Sequence, residues 1–302
     1  MSTHQSVQIL EYNAFTDRPF AGNPAGVVTD ASGLDDEVMQ LIARQMNLAE
    51  TAFLVPPSSS DADVRLRWFT PTQEVTLCGH ATIAAFTAAA EHGLFPREAG
   101  QERELRVETL SGILRIRIGE REGAVRVAMQ IPVPDFEPLA VDRGAFAALW
   151  GVSEAVLAGD WWALPSTGYR FIPVRDREAL GSLTLDSEAL AEIDPAASFA
   201  FFTGDTVDPD SHWHLRFFAP FLGVPEDIVT GSAQGPMGPL HLRLTDAPQQ
   251  DGWTELKGEQ GDLLGRPGRV IVRVHSEQGA VDDLEIAGGG VAMLEGRIVV
   301  GK

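Results

Sequence analysis

The 302 residues are 44% hydrophobic and carry 43 Asp and Glu against 23 Lys and Arg, a formal net charge of −20. This is the composition of a globular, acidic chain, not a disordered one, and it lacks the cations on which binding to nucleic acid or an anionic membrane depends. Lysine is confined to Lys257 and Lys302 and cysteine to Cys78, which argues against lysine Schiff-base chemistry and excludes disulfides and cysteine metal clusters within the chain.

At roughly 100–200 residues per domain, the length suggests two domains. The start of the chain has neither the basic nor the apolar region of a signal peptide, and the longest weakly polar run, 81–90, is about half of what a bilayer span requires. A cytoplasmic protein without a membrane partner is expected. Strand patterns at 7–12 and 25–28 are separated by the turn chemistry of Asp17-Arg18-Pro19 and Gly22-Asn23-Pro24. Val38, Leu41, Ile42 and Met46 fall at helical spacing within 35–46. A buried strand follows at 51–55, and 64–69 alternates with period two. After Pro71 and Leu77-Cys78-Gly79-His80, the alanines of 81–92 favour a packed helix. Alternating segments at 104–108, 113–118 and 124–129 complete the first half.

The segment Ile131-Pro132-Val133-Pro134-Asp135 reads as a linker. Beyond it, helical patterns at 142–150 and 187–193 surround a strand at 170–174, and strands are expected at 197–203 and 213–218. A Gly-rich segment from Thr230 opens another helix, in which Pro236 and Pro239 predict an irregular start or a shortened element. Strand-like segments at 269–275, 281–286, 291–295 and 297–300 close the chain. Gly288-Gly289-Gly290 lacks the strand–loop–helix setting of a phosphate loop and reads as close backbone packing.

An internal echo links the halves. Arg67-Trp68-Phe69-Thr70-Pro71 precedes Cys78-Gly79-His80-Ala81, and Arg216-Phe217-Phe218-Ala219-Pro220 precedes Thr230-Gly231-Ser232-Ala233. The distance between the copies is far above solenoid periods, so the pattern suggests two duplicated domains; chance similarity of short segments is the alternative.

A helix beginning Gly-His-Ala or Gly-Ser-Ala presents unpaired backbone N–H groups, and glycine permits close approach. Such a terminus can hold an anion. In the simpler reading, Ser232 is an N-cap and Gly79 a turn residue. Glu50 lies between the helix at 35–46 and the apolar strand Thr51-Ala52-Phe53-Leu54. A carboxylate at the mouth of a buried strand is partly desolvated, a setting in which it can exchange protons near neutrality. Asp227 precedes Ser232 by five residues, close enough to share its surroundings. His80 suits hydrogen bonding or proton transfer, or simple packing. Cys78 is either an activated thiolate or a small buried hydrophobe. His212 and His214 would share a strand face, but no third ligand at recognisable spacing supports a metal site.

Together, the stretches 14–25 (Ala-Phe-Thr-Asp-Arg-Pro-Phe-Ala-Gly-Asn-Pro-Ala), 45–53, 67–82, 216–233 and, more weakly, 289–296 resemble the PhzF-like (phenazine-biosynthesis-like) family of the diaminopimelate epimerase superfamily. The resemblance implies an α+β fold of two similar domains, 1–130 and 131–288, each a curved, barrel-like sheet around a central helix, with 289–302 returning to the first domain. It implies cofactor-independent, metal-free proton relocation in an interdomain cleft of a homodimer, acting on a small carboxylic acid. Glu50 would be the acid/base. His80, Asp227 and Ser232 would be polar cleft residues, and the amides of Gly79, His80, Gly231 and Ser232 anion-binding turns. Asn23, Thr230 and Cys78 would face substrate, and Arg67 and Arg216 are candidate side-chain additions to the clamp. Departures are Ile228 where proline is common, Gln234 where His or Asn is common, and Leu215 where serine often stands. The rival readings are an epimerase or dehydratase using Cys78, and an inactive binding or scaffold protein. The superfamily's two-cysteine racemisation is unavailable, because Thr230 occupies the second position.

Overall fold

Residue alternation and glycine placement shape the sheets. The computed structural model describes residues 6–98, 100–186, 197–222, 224–245 and 251–301; the helical pattern at 187–193 lies outside them. The chain divides into two compact units, one formed by Met1–Ile131 with Glu285–Lys302 and the other by Pro132–Leu284.

In the first unit the strands are β1 (Ser6–Ala14), β2 (Asn23–Val28), β3 (Thr51–Val55), β4 (Val64–Phe69), β5 (Glu74–Val75), β6 (Arg103–Thr109), β7 (Gly112–Arg121) and β8 (Ala124–Gln130). The chain returns through β17 (Ala280–Gly288) and β18 (Gly290–Val299). Pairing runs β18–β1–β2–β3–β4–β6–β7–β8, with the end of β17 on β8. The β2–β3 and β4–β6 pairs are parallel. Parallel neighbours need crossovers; these are helix α1 (Asp36–Met46) and helix α2 (Gly79–Glu91). The segments at 291–295 and 297–300 form one strand, whose partner β1 accommodates an irregularity at Glu11/Tyr12.

The two helices differ in kind. In α1, Met39, Ile42 and Ala43 form the buried stripe and pack with Ile9, Val28, Phe53 and Phe69. In α2, every residue from His80 to Ala89 is buried. A helix that is apolar all round is enclosed rather than laid on a surface, and α2 packs on β1, β2, β3, β7, β8 and β18. The triple glycine supports close packing, since a Cβ on Gly288 would lie 2.7 Å from the Phe15 ring and one on Gly290 3.1 Å from the Asn13 carbonyl.

The second unit repeats the scheme. Its strands are β9 (Glu137–Pro138), β10 (Trp162–Leu164), β11 (Tyr169–Pro173), β12 (Ser198–Thr203), β13 (Trp213–Ala219), β14 (Val224–Asp227), β15 (Gly252–Gln260) and β16 (Gly268–Glu277). They pair as β9–β10–β11–β12–β13–β15–β16, with β14 also on β13, and β11–β12 and β13–β15 are parallel. The helices are α3 (Arg143–Leu149), α4 (Arg177–Ser182) and α5 (Gly231–Leu244). Phe146, Trp150, Trp161, Phe199, Phe201 and Phe218 fill an aromatic core. In β16, Val270, Val272 and Val274 form the inward face.

Contrary to the expectation from Pro236 and Pro239, α5 is one helix of 14 residues with both prolines inside it. Each proline follows a glycine, Gly235 or Gly238, which removes the Cβ that normally clashes with the proline ring. Gly238 also lets the helix approach β16, because a Cβ there would meet Val272 at 2.6 Å and Val274 at 2.8 Å. Burial on the sheet compensates for the two missing N–H donors.

Candidate active site

In the first unit, Asn47 ends α1 in the left-handed region, with its N–H bonded to the Ala43 carbonyl. Asparagine tolerates that conformation, and the reversal feeds Leu48-Ala49-Glu50 into β3. The Glu50 carbonyl accepts from the Gly26 N–H at 3.1 Å, fixing its backbone beside β2. Gly26 is required there, since a Cβ would lie 2.7 Å from Thr51 Oγ1.

His80 is the second residue of α2, and the N-cap, Cys78, makes no side-chain capping bond. The Cys78 carbonyl is held by Thr82 instead, through its N–H at 3.2 Å and its hydroxyl at 2.6 Å. First-turn N–H groups have no intrahelical acceptor, so Gly79 and His80 carry the positive end of this helix. His80 Nε2 lies 3.3 Å from Glu50 Oε2, and its Nδ1 lies 3.5 Å from Cys78 Sγ. Glu50 Oε2 and His80 Nε2 are both buried, yet neither makes a well-formed hydrogen bond. Asn23 is buried at the start of β2, the strand beside Glu50. Gly22 precedes it at φ +68°, where a Cβ would lie 2.2 Å from the Ala14 carbonyl.

In the second unit, Asp227 ends β14 and its Oδ2 accepts from Thr230 Oγ1 at 2.6 Å. Thr230 is the N-cap of α5, again without a side-chain cap, so Ser232 is not the N-cap. Gln260 ties the turn together. Its Oε1 accepts from Thr230 N at 3.0 Å, and its Nε2 donates to Thr230 Oγ1 and the Asp227 carbonyl, each at 3.0 Å. Gln234 is buried and structural. Its Oε1 accepts from Trp213 Nε1 at 2.7 Å, and its Nε2 donates to Gln260 Oε1 and the Glu259 carbonyl at 3.2 Å.

Sequence reasoning missed Tyr169, whose hydroxyl lies 3.0 Å from Ser232 Oγ and whose ring packs edge-on against Phe217 at 4.9 Å. Its signal was rarity, since the chain has two tyrosines. The structure brings together Glu50, Cys78 and His80 in one unit, and Asp227, Thr230, Ser232 and Tyr169 in the other.

The two arginines offered as clamp additions are committed elsewhere. Arg67 forms a two-pronged bond to Glu74 at 2.7 Å and reaches Asp36 at 2.6 Å. Arg216 grips Glu226 in the same way at 2.8 Å and donates to the Leu180 and Leu183 carbonyls. Each guanidinium lies over the phenylalanine two residues on, Phe69 at 5.1 Å and Phe218 at 4.7 Å. The sequence echo therefore marks a duplicated brace, in which planar guanidinium forks hold the strand pairs that lead into the central helices.

Among the described residues, two groups offer metal-ligand types: Glu50, Cys78 and His80, and His214, Glu259 and Asp262. In the second group Arg269 already supplies positive charge, donating to Asp262 at 2.9 and 3.0 Å and to Asp208 at 2.6 Å. His212 lies outside β13, so the two histidines do not share a strand.

The family model of the phenazine biosynthesis-like proteins matches residues 12–296. The chain belongs to this family. The uncharacterized isomerase YfhB of Bacillus subtilis (strain 168) is 35% identical, over 92% of this chain and 94% of that protein. The trans-2,3-dihydro-3-hydroxyanthranilate isomerase of Pseudomonas aeruginosa is 33% identical, over 94% of this chain and 96% of its own length. A crystal structure of a PhzF-family protein from Bacillus anthracis superposes with a TM-score of 0.87 at 32% identity, covering 98% of this chain and all of that one. The PhzF-like chain is an isomerase with the α+β, epimerase-like fold of curved sheets around central helices. Among the described residues, no helix is long and apolar enough to cross a membrane.

Proposed function

We propose that this isomerase relocates a proton between carbons of a small carboxylic acid without a cofactor, with Glu50 as the general acid and base. The observation that carries the reading is the buried approach of Glu50 Oε2 to His80 Nε2 at 3.3 Å, with neither atom engaged in a well-formed hydrogen bond. A partly buried carboxylate whose enclosed oxygen has an unspent lone pair is placed to take a proton. Glu50 removes a proton from one carbon, the electron pair moves into the conjugated acid, and protonated Glu50 returns the proton to another carbon. The amides of Gly79, His80, Gly231 and Ser232 stabilise the charge that develops on the substrate carboxylate. His80, Asp227 and Ser232 orient the substrate, with Asn23, Thr230 and Cys78 around it. In this reading the two sets of residues act on one substrate in a cleft between the domains of a cytoplasmic homodimer. The name of the Pseudomonas aeruginosa relative points to a cyclic, amino-acid-like carboxylate.

The second reading uses Cys78, whose Sγ lies 3.5 Å from His80 Nδ1, as a one-thiol epimerase or dehydratase base. The two are separated by NMR detection of deuterium uptake at carbon in D₂O, with trans-2,3-dihydro-3-hydroxyanthranilate and related cyclic carboxylates. Glu50→Gln is expected to slow exchange by about 10²–10⁴-fold, well beyond the effect of Cys78→Ala. Abolition by Cys78→Ala with exchange retained in Glu50→Gln would overturn the assignment.

A further inference from the structure

The start of α2 gathers three donors of different chemistry, a carboxylate oxygen of Glu50, an imidazole nitrogen of His80 and the thiol of Cys78, all within 4.8 Å of one another. The His80 ring is more than nine-tenths buried, and its Nε2 has no hydrogen-bond partner. Zinc bonds to oxygen and nitrogen of roughly 2.0–2.1 Å set an O···N edge of about 3.3 Å in a tetrahedral site. The observed Glu50–His80 spacing is 3.3 Å. The remaining edges, to sulfur, need roughly 3.5 Å around such an ion and lie within 4.8 Å here, so they close by no more than about 1.3 Å, within reach of side-chain rotation.

We propose that Glu50, His80 and Cys78 bind a thiophilic divalent cation of the zinc class, which reversibly inhibits the enzyme. The mixed set selects the ion. One carboxylate, one imidazole and one thiolate suit zinc or cobalt, whereas calcium and magnesium require oxygen ligands. On binding, a metal–sulfur bond forms and the thiol proton passes to solvent, while the carboxylate and imidazole donate lone pairs. No electrons are transferred. Three protein ligands leave a fourth position for water or a substrate carboxylate. Inhibition follows because the Glu50 lone pair needed for proton removal is then held by the ion. That consequence rests on the proton-transfer reading; binding itself does not.

The test is equilibrium dialysis of the full chain with Zn²⁺, paired with the near-ultraviolet spectrum of the Co²⁺-loaded protein, where a thiolate ligand gives a charge-transfer band. A single equivalent and a thiolate band are expected. The band should vanish in Cys78→Ala, affinity should fall at least about tenfold in both Cys78→Ala and His80→Gln, and His214→Gln should retain both band and affinity. Circular dichroism checks that each variant folds. No saturable binding, a band that survives Cys78→Ala, or binding lost in His214→Gln would each overturn the proposal. If Zn²⁺ binds at the trio without slowing deuterium exchange while Glu50→Gln abolishes it, inhibition is refuted. If Glu50→Gln retains exchange, the catalytic reading fails and the metal site stands.

Discussion

The two units share one scaffold and carry opposite chemistry at its corresponding points. Each has a parallel pair bridged by a central helix, an arginine fork on the strand before it, and an uncapped Gly-led helix start. At the first start stand a carboxylate, an imidazole and a thiol, with Glu50 Oε2 and His80 Nε2 left without well-formed hydrogen bonds. At the second, Asp227, Thr230, Gln260 and Gln234 bond to one another, and Ser232 to Tyr169. The duplication supplies two Gly-led helix starts, and divergence has left carboxylate, imidazole and thiol beside one and a hydrogen-bonded Asp227–Thr230–Gln260–Gln234 network beside the other. Under the proposed function this is a division of labour, in which Glu50 of the first unit moves the proton and the turn of the second unit serves only to bind the substrate.

The duplication extends beyond the candidate site. Glu108 on β6 accepts from Ser58 and Ser59 of the β3–β4 loop and faces Arg65 at 3.6 Å. Glu259 on β15 accepts from Val207 and Asp208 of the β12–β13 loop, both at 2.7 Å, and faces His214 at 3.3 Å. The same carboxylate ties the same loop in each unit, but the second copy is buried, with a histidine where the first has an arginine.

The largest effects should come from breaking the two braces. Arg67→Met leaves Glu74 and Asp36 without their partner, and Arg216→Met strands Glu226 and two carbonyls; each should cost about 3 kcal/mol in urea denaturation. A markedly smaller loss at one brace would show that the duplication is not energetically symmetric. Gly258→Ala should follow at about 2–3 kcal/mol, because its Cβ would stand 2.1 Å from Gln234 Oε1 and 2.3 Å from Trp213 Nε1. Weakened carboxylate binding in that variant would show that the network behind Thr230 supports the clamp.

Acid titration separates the paired carboxylates. Burial pushes Glu259 up, but His214, the two backbone N–H groups and Arg269 outweigh it and hold the carboxyl at about 2, below its ordinary 4.5. A lowered carboxyl stabilises the fold above its ordinary value, and that contribution is lost as pH falls from 4.5 towards 2. Glu259→Gln should therefore flatten the stability curve across that interval. Glu108 is also lowered, by the Ser58 hydroxyl first, yet it is more exposed, so Glu108→Gln should flatten the acid limb less. The smallest effect is expected from Tyr169→Phe, which removes one neutral hydrogen bond to Ser232 and should weaken carboxylate binding by about three- to tenfold; no change on a Ser232→Ala background would confirm that Tyr169 acts through Ser232.

What the sequence disclosed follows from what local pattern can encode. The alternation of 64–69, the stripe of α1 and the alanines of α2 show their roles directly, because apolar burial alone determines them. The strand β15 was missed: its Gly-rich, polar residues include Glu259 and Gln260, buried only because distant partners satisfy them. Likewise, nothing local to Pro236 and Pro239 announces that Gly235 and Gly238 permit a continuous helix against β16. Family-matching residues drew attention to the two helix starts, but the commitments of Arg67, Arg216, Gln234 and Tyr169 are tertiary and have no local signature.

The division of labour is tested most directly by measuring, in Glu50→Gln, both the dissociation constant for a carboxylate ligand identified with the wild-type enzyme and the rate of deuterium exchange at carbon. Binding within about threefold of wild type with exchange lost by about 10²-fold or more is predicted. Loss of binding in proportion to exchange, or exchange at the wild-type rate, would contradict it.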